Sequence, residues 1–253
     1  MQGLYTKLPW GDYFGAIDFG ILLLRGNLLY KPNVVLILGV IMSNPQLATK
    51  FDNFSGWRLV LGIVSATALL VASLIAIYGT GEPGIRLWLK VTGRIDTIPF
   101  AAAFVAFPLH QILPSTFSAW LVKNRRFLGI SFALQHLLLH LPAVIWFLAI
   151  ATLPQAQIAI AGLAYVLIAA MLLTSFETPA GWLGHQRWKI LHKTGLFYVM
   201  FVFIATFLPK VPNHPTTYAP FAILLLGAVI LRIFAFIRRQ RSPRGANEMM
   251  SYE

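Results

Sequence analysis

Six long apolar stretches constrain the fold of this chain more than any other feature of its sequence. They are residues 57–80, 92–113, 127–153, 158–176, 186–208 and 218–237. Each approaches the roughly 20 apolar residues that an α-helix needs to cross the hydrocarbon core of a bilayer. The chain as a whole is 58% hydrophobic and 11% charged, with a mean hydropathy of +0.72. The sequence therefore predicts an all-α polytopic membrane protein, a bundle of six transmembrane helices.

The first 56 residues do not fit this pattern. Their two apolar runs, residues 20–24 and 34–42, are short and are separated by polar and charged residues, so neither can cross a bilayer alone. We predict that this segment forms interfacial or re-entrant helices, and a seventh span is the alternative. The expected organisation is an N-terminal segment 1–56, a transmembrane domain 57–240 and a polar tail 241–253.

Basic residues are distributed unevenly between the two ends of the predicted bundle. One end receives Lys50, Arg58, Lys123, Arg125, Arg126, Arg187, Lys189, Lys193, Arg238, Arg239, Arg241 and Arg244, and the other receives Arg86, Lys90, Arg94 and Lys210. Because Lys and Arg mark cytoplasmic loops, we expect the start of the first helix and the C-terminus to be cytoplasmic. Membrane orientation and lipid headgroups explain this basicity, and nucleic acid is not an expected partner.

The sequence lacks the motifs of several redox domains. No cysteine occurs, which excludes cysteine-ligated iron–sulfur clusters and thiolate-ligated haem. Neither a glycine-rich phosphate loop nor a dinucleotide-binding fingerprint is present, so we expect no flavin or nicotinamide domain in this chain. Any chemistry is therefore expected to use groups inside the helical bundle.

Histidine dominates the ionisable residues within the predicted spans. Ionisable side chains are costly inside a bilayer and are functional candidates there. The candidates are His110, His136, His140, His192 and Arg232, with Arg94, Asp96 and Glu177 near the ends of spans. Carboxylates are nearly absent from the predicted interior, which argues against a proton-relay pump and against a carboxylate-bridged metal centre.

The segment FALQHLLLHLPAVIW places two histidines four residues apart on one helical face. A zinc-protease motif would need a glutamate between His136 and His140, where this chain has only leucine. The pair alone is a weak signal for a metal site, and two imidazoles that are hydrogen-bonded inside the bundle are one interpretation. Haem is the other, because histidines from two helices can hold its iron in the core of a bundle.

Depth along the helices favours one pair of iron ligands. At a rise of 1.5 Å per residue, His136 lies ~15 Å in from Arg126, His140 lies ~21 Å in, and His192 lies ~12 Å in from residue 184. His136 and His192 match best, although helix tilt leaves His140 open.

Basic residues at the same end are candidate partners for the two haem propionates. These residues are Arg125, Arg126, Arg187, Lys189 and Lys193. Orientation in the membrane is the alternative reason for each of them. His110, ~6 Å from the same end of its helix, could contact a propionate or remain a surface histidine.

Three motifs together resemble the ferric reductase-like transmembrane domain family. They are TGRIDTIPFAAAFVAFPLHQI, NRRFLGISFALQHLLLH and RWKILHKTGLFYVMFVF, within residues 57–210. The family also includes the haem-binding membrane subunit of the bacterial methionine sulfoxide reductase system. In this family, histidines on the third and fifth core helices bind b-type haem. The resemblance implies that His136 and His192 ligate iron, with His140 as the alternative, and that the chain lies in a bacterial inner membrane.

The fifth span departs from the two-haem members of that family. Those members carry a further ligand about four turns along this helix, near Ala205, where this chain reads VMFVFIATF. We therefore expect one haem b on the cytoplasmic side, and a second haem would need His140 or His214.

The resemblance implies a membrane b-type cytochrome that relays electrons through a bis-histidine haem. Its electrons would come from a separate reductase or from quinol, and a redox partner protein or a metal ion would accept them. The chain could serve as the membrane subunit of an oxidoreductase. The alternative is a transporter or channel subunit whose histidines bind a transition metal or a proton.

Overall fold

The computed structural model of the protein describes residues 54–151 and 154–241. The interfacial or re-entrant helices predicted before residue 54 lie outside the described residues, and so does the polar tail after residue 241. Every regular element within the described ranges is helical.

Six helical spans make up the described chain. In order, the elements are α1 (Trp57–Tyr78), α2 (Glu82–Ile112), α3 (Thr116–Leu134), a π-helical turn (Gln135–His140), α4 (Leu141–Ile150), α5 (Gln155–Leu173), the short α6 (Glu177–Leu183), α7 (His185–Phe207), a 3-10 turn (Leu208–Lys210) and α8 (Pro215–Arg241). The helix α3, the π-helical turn and α4 form one continuous span, Thr116–Ile150. This span and α1, α2, α5, α7 and α8 are long and apolar enough to cross a membrane. The prediction of an all-α bundle of six transmembrane helices is confirmed.

Large apolar side chains cover the outer faces of the bundle. Ile77 is 73% exposed, Leu69 is 70% exposed and Ile223 is 70% exposed. Exposed apolar surface on this scale is suited to lipid, because acyl chains are as apolar as these side chains. The protein is an integral membrane protein whose helices contact membrane lipid.

Successive spans run in opposite directions because short connections join them, such as residues 79–81 between α1 and α2. We call one end of the bundle the basic end. There α1, α3 and α7 begin and α2, α5 and α8 end. The other end, which carries Lys90 and Lys210, is called the opposite end.

The helix α2 is the central element. It contacts α1, α3, the π-helical turn, α4 and α8. Half of the residues in its most apolar 18-residue segment are buried, against 28% or less in the corresponding segments of the other described spans. The helix begins at Glu82, not at Thr92 where the apolar stretch starts, because Pro83 and Glu82 suit the first turn of a helix. Asp96, which the sequence placed near a span end, therefore lies in the middle of α2 and is fully buried.

A wide π-helical turn interrupts the third span at the two neighbouring histidines. The Leu141 N–H donates to the carbonyl oxygen of His136, five residues earlier. Pro142 in the next turn supplies the reason, because proline has no N–H to donate and its ring clashes with the carbonyl four residues before it. Trp88 on α2 donates its indole N–H to the carbonyl oxygen of Leu139 over 2.8 Å, so a neighbouring helix bonds to the wide turn. Such π-helical turns often mark functional sites.

Candidate functional site

Two cavities lie inside the bundle, one toward each end. The cavity toward the opposite end has a volume of about 290 Å³ and is lined by His136, His140, Gly93, Tyr165, Phe203 and Lys90, among others. We call it the histidine cavity. The cavity toward the basic end has a volume of about 560 Å³ and is lined by His192, Arg125, Arg126, Lys189, Lys193 and Arg232, among others. We call it the basic cavity.

Three aromatic rings pack together where the two cavities approach each other. The ring centroid of Phe100 lies 5.0 Å from that of Phe132 and 5.3 Å from that of Phe203. Phe203 lines the histidine cavity, whereas Phe100 and Phe132 line the basic cavity, and Ile168 lines both. A packed core between α2, α3 and α7 therefore contributes walls to both cavities.

His136 is held by a buried carboxylate. Its Nδ1 lies 2.9 Å from Oδ2 of Asp96, and the two residues are 9% and 0% exposed. When the carboxylate oxygen accepts this bond, the imidazole carries its hydrogen on Nδ1 and keeps a lone pair on Nε2. A histidine whose other ring nitrogen bonds to a carboxylate is the usual arrangement of a metal-ligating imidazole.

His140 has a similar arrangement with a hydroxyl group. The Thr92 hydroxyl donates to the carbonyl oxygen of Trp88 over 2.9 Å, and it lies 2.7 Å from Nδ1 of His140. Because a hydroxyl has one hydrogen, Thr92 accepts from His140 Nδ1 and leaves the lone pair on Nε2. A Cβ atom at Gly93 would lie 3.4 Å from Cε1 of His140, so the absence of a side chain at this position lets the ring lie against α2.

The two imidazoles are stacked on the same wall of the histidine cavity. Their ring centroids are 4.7 Å apart at an interplanar angle of 17°, and the ring of Tyr165 stacks on His136 with centroids 5.0 Å apart. Because both imidazoles come from one span, they reach the cavity from the same side. Among the described residues that line this cavity, α5 and α7 contribute no histidine.

His192 lines the other cavity. The Thr174 hydroxyl donates to the carbonyl oxygen of Ala170 over 2.7 Å, so it accepts from Nε2 of His192 over 3.0 Å. The lone pair of this imidazole is then on Nδ1. The Trp188 ring packs on the same imidazole with centroids 4.4 Å apart, and the Trp188 indole N–H donates to the carbonyl oxygen of Thr174 over 2.8 Å.

The structure therefore places His136 and His192 in different cavities. Their depths in the membrane are similar only when they are counted from Arg126 and from residue 184. The helix that leads to His136 begins at Thr116, well before Arg126, whereas the helix that holds His192 begins at His185. Counted from these starts, His136 lies ~30 Å along its span and His192 only ~10 Å along its own. The ligand pair expected from the sequence is not brought together within one cavity.

Most of the basic residues that were candidate propionate partners line the basic cavity. Arg125, Arg126, Lys189 and Lys193 do so, and Arg187 lines neither cavity. These cations are therefore grouped with His192 and separated from His136.

The remaining candidate histidines line neither cavity. His110 has its Nδ1 2.9 Å from the hydroxyl oxygen of Ser118, a fully buried serine at the start of α3. The Ser118 hydroxyl also forms part of the capping box that begins this helix, so His110 joins the end of α2 to the start of α3. His214 is exposed and packs near Tyr218, with ring centroids 6.2 Å apart.

Sequence reasoning placed Asp96 near a span end and missed that it and Thr92, both on α2, orient the histidines. Asp96 and Thr92 lie four residues apart, and thus on one helical face, directed at the third span. The signal that could have revealed them is the helix start at Glu82, which extends α2 beyond its apolar stretch. Gln135, fully buried beside His136, donates to the Thr67 hydroxyl on α1 and was also missed.

The donor groups of the histidine cavity are chemically suited to haem iron. Each of its imidazoles has an Nε2 lone pair that no hydrogen bond within residues 54–151 and 154–241 uses. Aromatic rings line the same cavity. Lys90 and Lys210, which line it near the opposite end of the bundle, are cations that could pair with the haem carboxylates. No group of three or more His, Cys, Asp or Glu within these residues could hold a metal ion by itself.

The fold and the site define a polytopic helical membrane protein with two oriented imidazoles in its interior. No family model, no curated protein and no solved structure matches this chain. The resemblance to the ferric reductase-like family is therefore an expectation from the sequence motifs alone.

Proposed function

We propose that this protein is a membrane b-type cytochrome that relays electrons from a separate reductase or from quinol to a redox partner or a metal-ion acceptor. The observation that carries the proposal is the buried hydrogen bond between Asp96 and His136 beside the histidine cavity. A carboxylate inside a membrane span is costly and persists where it has a function. Orienting an iron-ligating imidazole is such a function.

The histidine cavity offers groups for each part of a haem. His136 would hold the iron through Nε2. His140 is the alternative ligand, because Thr92 leaves its Nε2 lone pair unused. Lys90 and Lys210 would pair with the propionates. A bound haem would supply reversible one-electron transfer, and the surrounding groups set its potential. The phenyl and phenol rings of the walls would keep water from the iron.

The position of the cavity implies the side of the membrane from which it is reached. If the basic end is cytoplasmic, as the distribution of Lys and Arg favours, the histidine cavity lies in the half of the bundle away from the cytoplasm. A reductant in the membrane or a partner on the outer side would then be nearest to this haem. In this proposal the protein resides in a bacterial inner membrane.

The direct test is the visible absorption of the purified protein. Wild-type protein in detergent, isolated from cells supplied with haem precursor, should contain haem by pyridine haemochrome assay and show reduced-minus-oxidised bands. A His136→Ala/His140→Ala double variant, which lacks both imidazoles of the cavity, should lose the haem and its absorption bands. The matched control is a His110→Ala/His185→Ala double variant, because these two histidines line neither cavity.

Two outcomes of this test would reject the proposal. One is a colourless wild-type protein that also fails to take up added haem. The other is equal haem content in the two double variants. The alternative from the sequence, a transporter or channel subunit for a transition metal or a proton, predicts the colourless protein.

A further inference from the structure

The basic cavity contains a charge that the haem proposal does not use. Arg232 lies within the membrane-spanning helix α8, and its side chain lines this cavity. Its guanidinium carbon lies 4.4 Å from the ring centroid of Phe104 and 5.1 Å from that of Phe197, and Nη1 donates to the carbonyl oxygen of Phe104 over 3.2 Å. An arginine inside a bilayer is costly and marks a functional site by default.

The surroundings of Arg232 hold further positive charge. Arg125, Arg126, Lys189 and Lys193 line the same cavity, and none of the described residues that line it is Asp or Glu. No ion pair found among residues 54–151 and 154–241 involves these five cations. A guanidinium has five N–H donors, and within the described part of the chain the bond to Phe104 uses one of those on Arg232. Five like charges around one cavity repel each other, and an anion would relieve that repulsion.

The rest of the lining is apolar. Phe132, Ala133, Leu172 and Leu196 form walls of the basic cavity. Its volume of about 560 Å³ falls within the range of roughly 300–1,000 Å³ that is typical of ligand sites. A ligand that suits this cavity combines an anionic group with an apolar body. Basic pockets between transmembrane helices bind the headgroups of anionic lipids in this way.

We propose that the basic cavity is a binding site for a phosphate-bearing ligand, and that this ligand is an anionic phospholipid of the adjacent leaflet. Arg232 and Arg125 bind the phosphate, and Arg126, Lys189 and Lys193 surround it. The acyl chain lies along the apolar walls. This site does not depend on the haem proposal, because the histidines of that proposal line the other cavity.

The test measures lipid binding to delipidated protein in detergent by native mass spectrometry. Phosphatidylglycerol should bind at least tenfold more tightly than the zwitterionic phosphatidylcholine. Arg232→Gln should weaken phosphatidylglycerol about tenfold, because each charge-assisted hydrogen bond contributes on that scale. Lys193→Gln should weaken it about threefold, since this side chain is exposed. The matched control is Arg238→Gln, which removes the same charge from α8 at a position that lines neither cavity.

A second arm separates a lipid from a soluble phosphate compound. Glycerol 3-phosphate is titrated against the same variants without lipid. Saturable binding that is weakened by Arg232→Gln would support the phosphate site but assign it to a soluble ligand. Equal affinity for the two lipids, or equal weakening by Arg238→Gln and Arg232→Gln, would overturn the proposal.

Haem content is measured on the same samples. A loss of haem in Arg232→Gln and Lys193→Gln, with unchanged lipid binding, would also overturn the proposal, because the cavity would then bind propionates. Since Lys193 is exposed, its substitution keeps the test valid if Arg232→Gln does not fold.

Discussion

The two cavities share a wall at Ile168, yet their polar groups are of opposite kinds. In the histidine cavity, Asp96 and Thr92 fix the orientation of both imidazoles. In the basic cavity, the cations have no acidic partner among the described lining residues. Oriented lone pairs suit a metal ion such as iron, because each bond from an imidazole to the metal lies along the nitrogen lone pair. Unpaired positive charge suits an anion, whose attraction depends little on direction.

The third span contributes to both cavities, and this shows how one helix can serve two sites. Arg125 and Gly129, in α3, line the basic cavity, whereas His136 and His140, in the π-helical turn, line the histidine cavity. One sequence segment, NRRFLGISFALQHLLLH, covers all four residues. Proximity in a motif therefore did not place them in one site, because helical rise carries later residues toward the opposite end.

The largest expected effect concerns which end of the bundle faces the cytoplasm. An enzyme reporter that is active only outside the cytoplasm should be inactive when fused after Arg244 and active when inserted after Gly81, in the connection between α1 and α2. Reporter activity normalised to expression gives an all-or-none result. The reverse pattern would exchange the sides that we assign to the two cavities.

The next largest effect separates His136 from His192 as the iron ligand. His136→Ala should lower haem affinity by more than about 100-fold, since loss of an outer partner alone costs about 10–100-fold. His192→Ala should retain haem, because this imidazole lines the basic cavity and its Nε2 bonds to Thr174. Titration of haem-free protein with haem measures both affinities. Loss of haem in both variants would restore the bis-histidine pair that the sequence indicated.

The number and approximate positions of the spans could be predicted because the bilayer demands about 20 apolar residues for each of them. The start of α2 could not be predicted by the same rule. Its first turns carry Glu82, Arg86 and Lys90. These charged residues are compatible with a helix, but they do not belong to a long apolar stretch, so a span defined by apolar residues alone leaves them out. The ion pair between Arg86 and Glu82, with an N···O distance of 2.6 Å, joins two of them on consecutive turns.

The site histidines could be identified because ionisable groups are rare inside a membrane. Their distribution between two cavities could not be predicted, because it depends on where each helix begins and on the wide turn before Pro142. The partners Asp96 and Thr92 come from another helix, so their contact with the histidines depends on packing and not on any sequence spacing.

A smaller effect is expected from the group that orients His136. Asp96→Asn keeps the shape of the side chain but replaces a charged acceptor by a neutral amide. We expect haem affinity to fall by about 10–100-fold while the iron keeps its imidazole ligand. Haem titration and the coordination state in the absorption spectrum check this result. An unchanged affinity would show that the bond between Asp96 and His136 has only a structural role.

Filling one cavity at a time tests whether the two sites are separate. Gly93→Leu should lower haem affinity by about tenfold or more, because a side chain there meets His140 and overpacking costs about 1–3 kcal/mol. Gly129→Leu is the matched variant, since Gly129 lines the basic cavity and has open space around it. This variant should weaken phosphatidylglycerol and leave haem unchanged. An effect of either variant on both ligands would show that the cavities act as one site.

The smallest expected effect distinguishes the two stacked imidazoles of the histidine cavity. His140 lies beside His136 with ring centroids 4.7 Å apart, and only His136 bonds to a carboxylate. If His136 ligates the iron, His140→Ala should keep the haem and shift its midpoint potential by on the order of 60 mV, a tenfold change in a one-electron equilibrium. Outer groups tune a cofactor in this way without holding it. Potentiometric titration of His140→Ala beside wild type measures the shift. Haem that is lost in His140→Ala and kept in His136→Ala would instead identify His140 as the ligand, with Thr92 as its orienting partner.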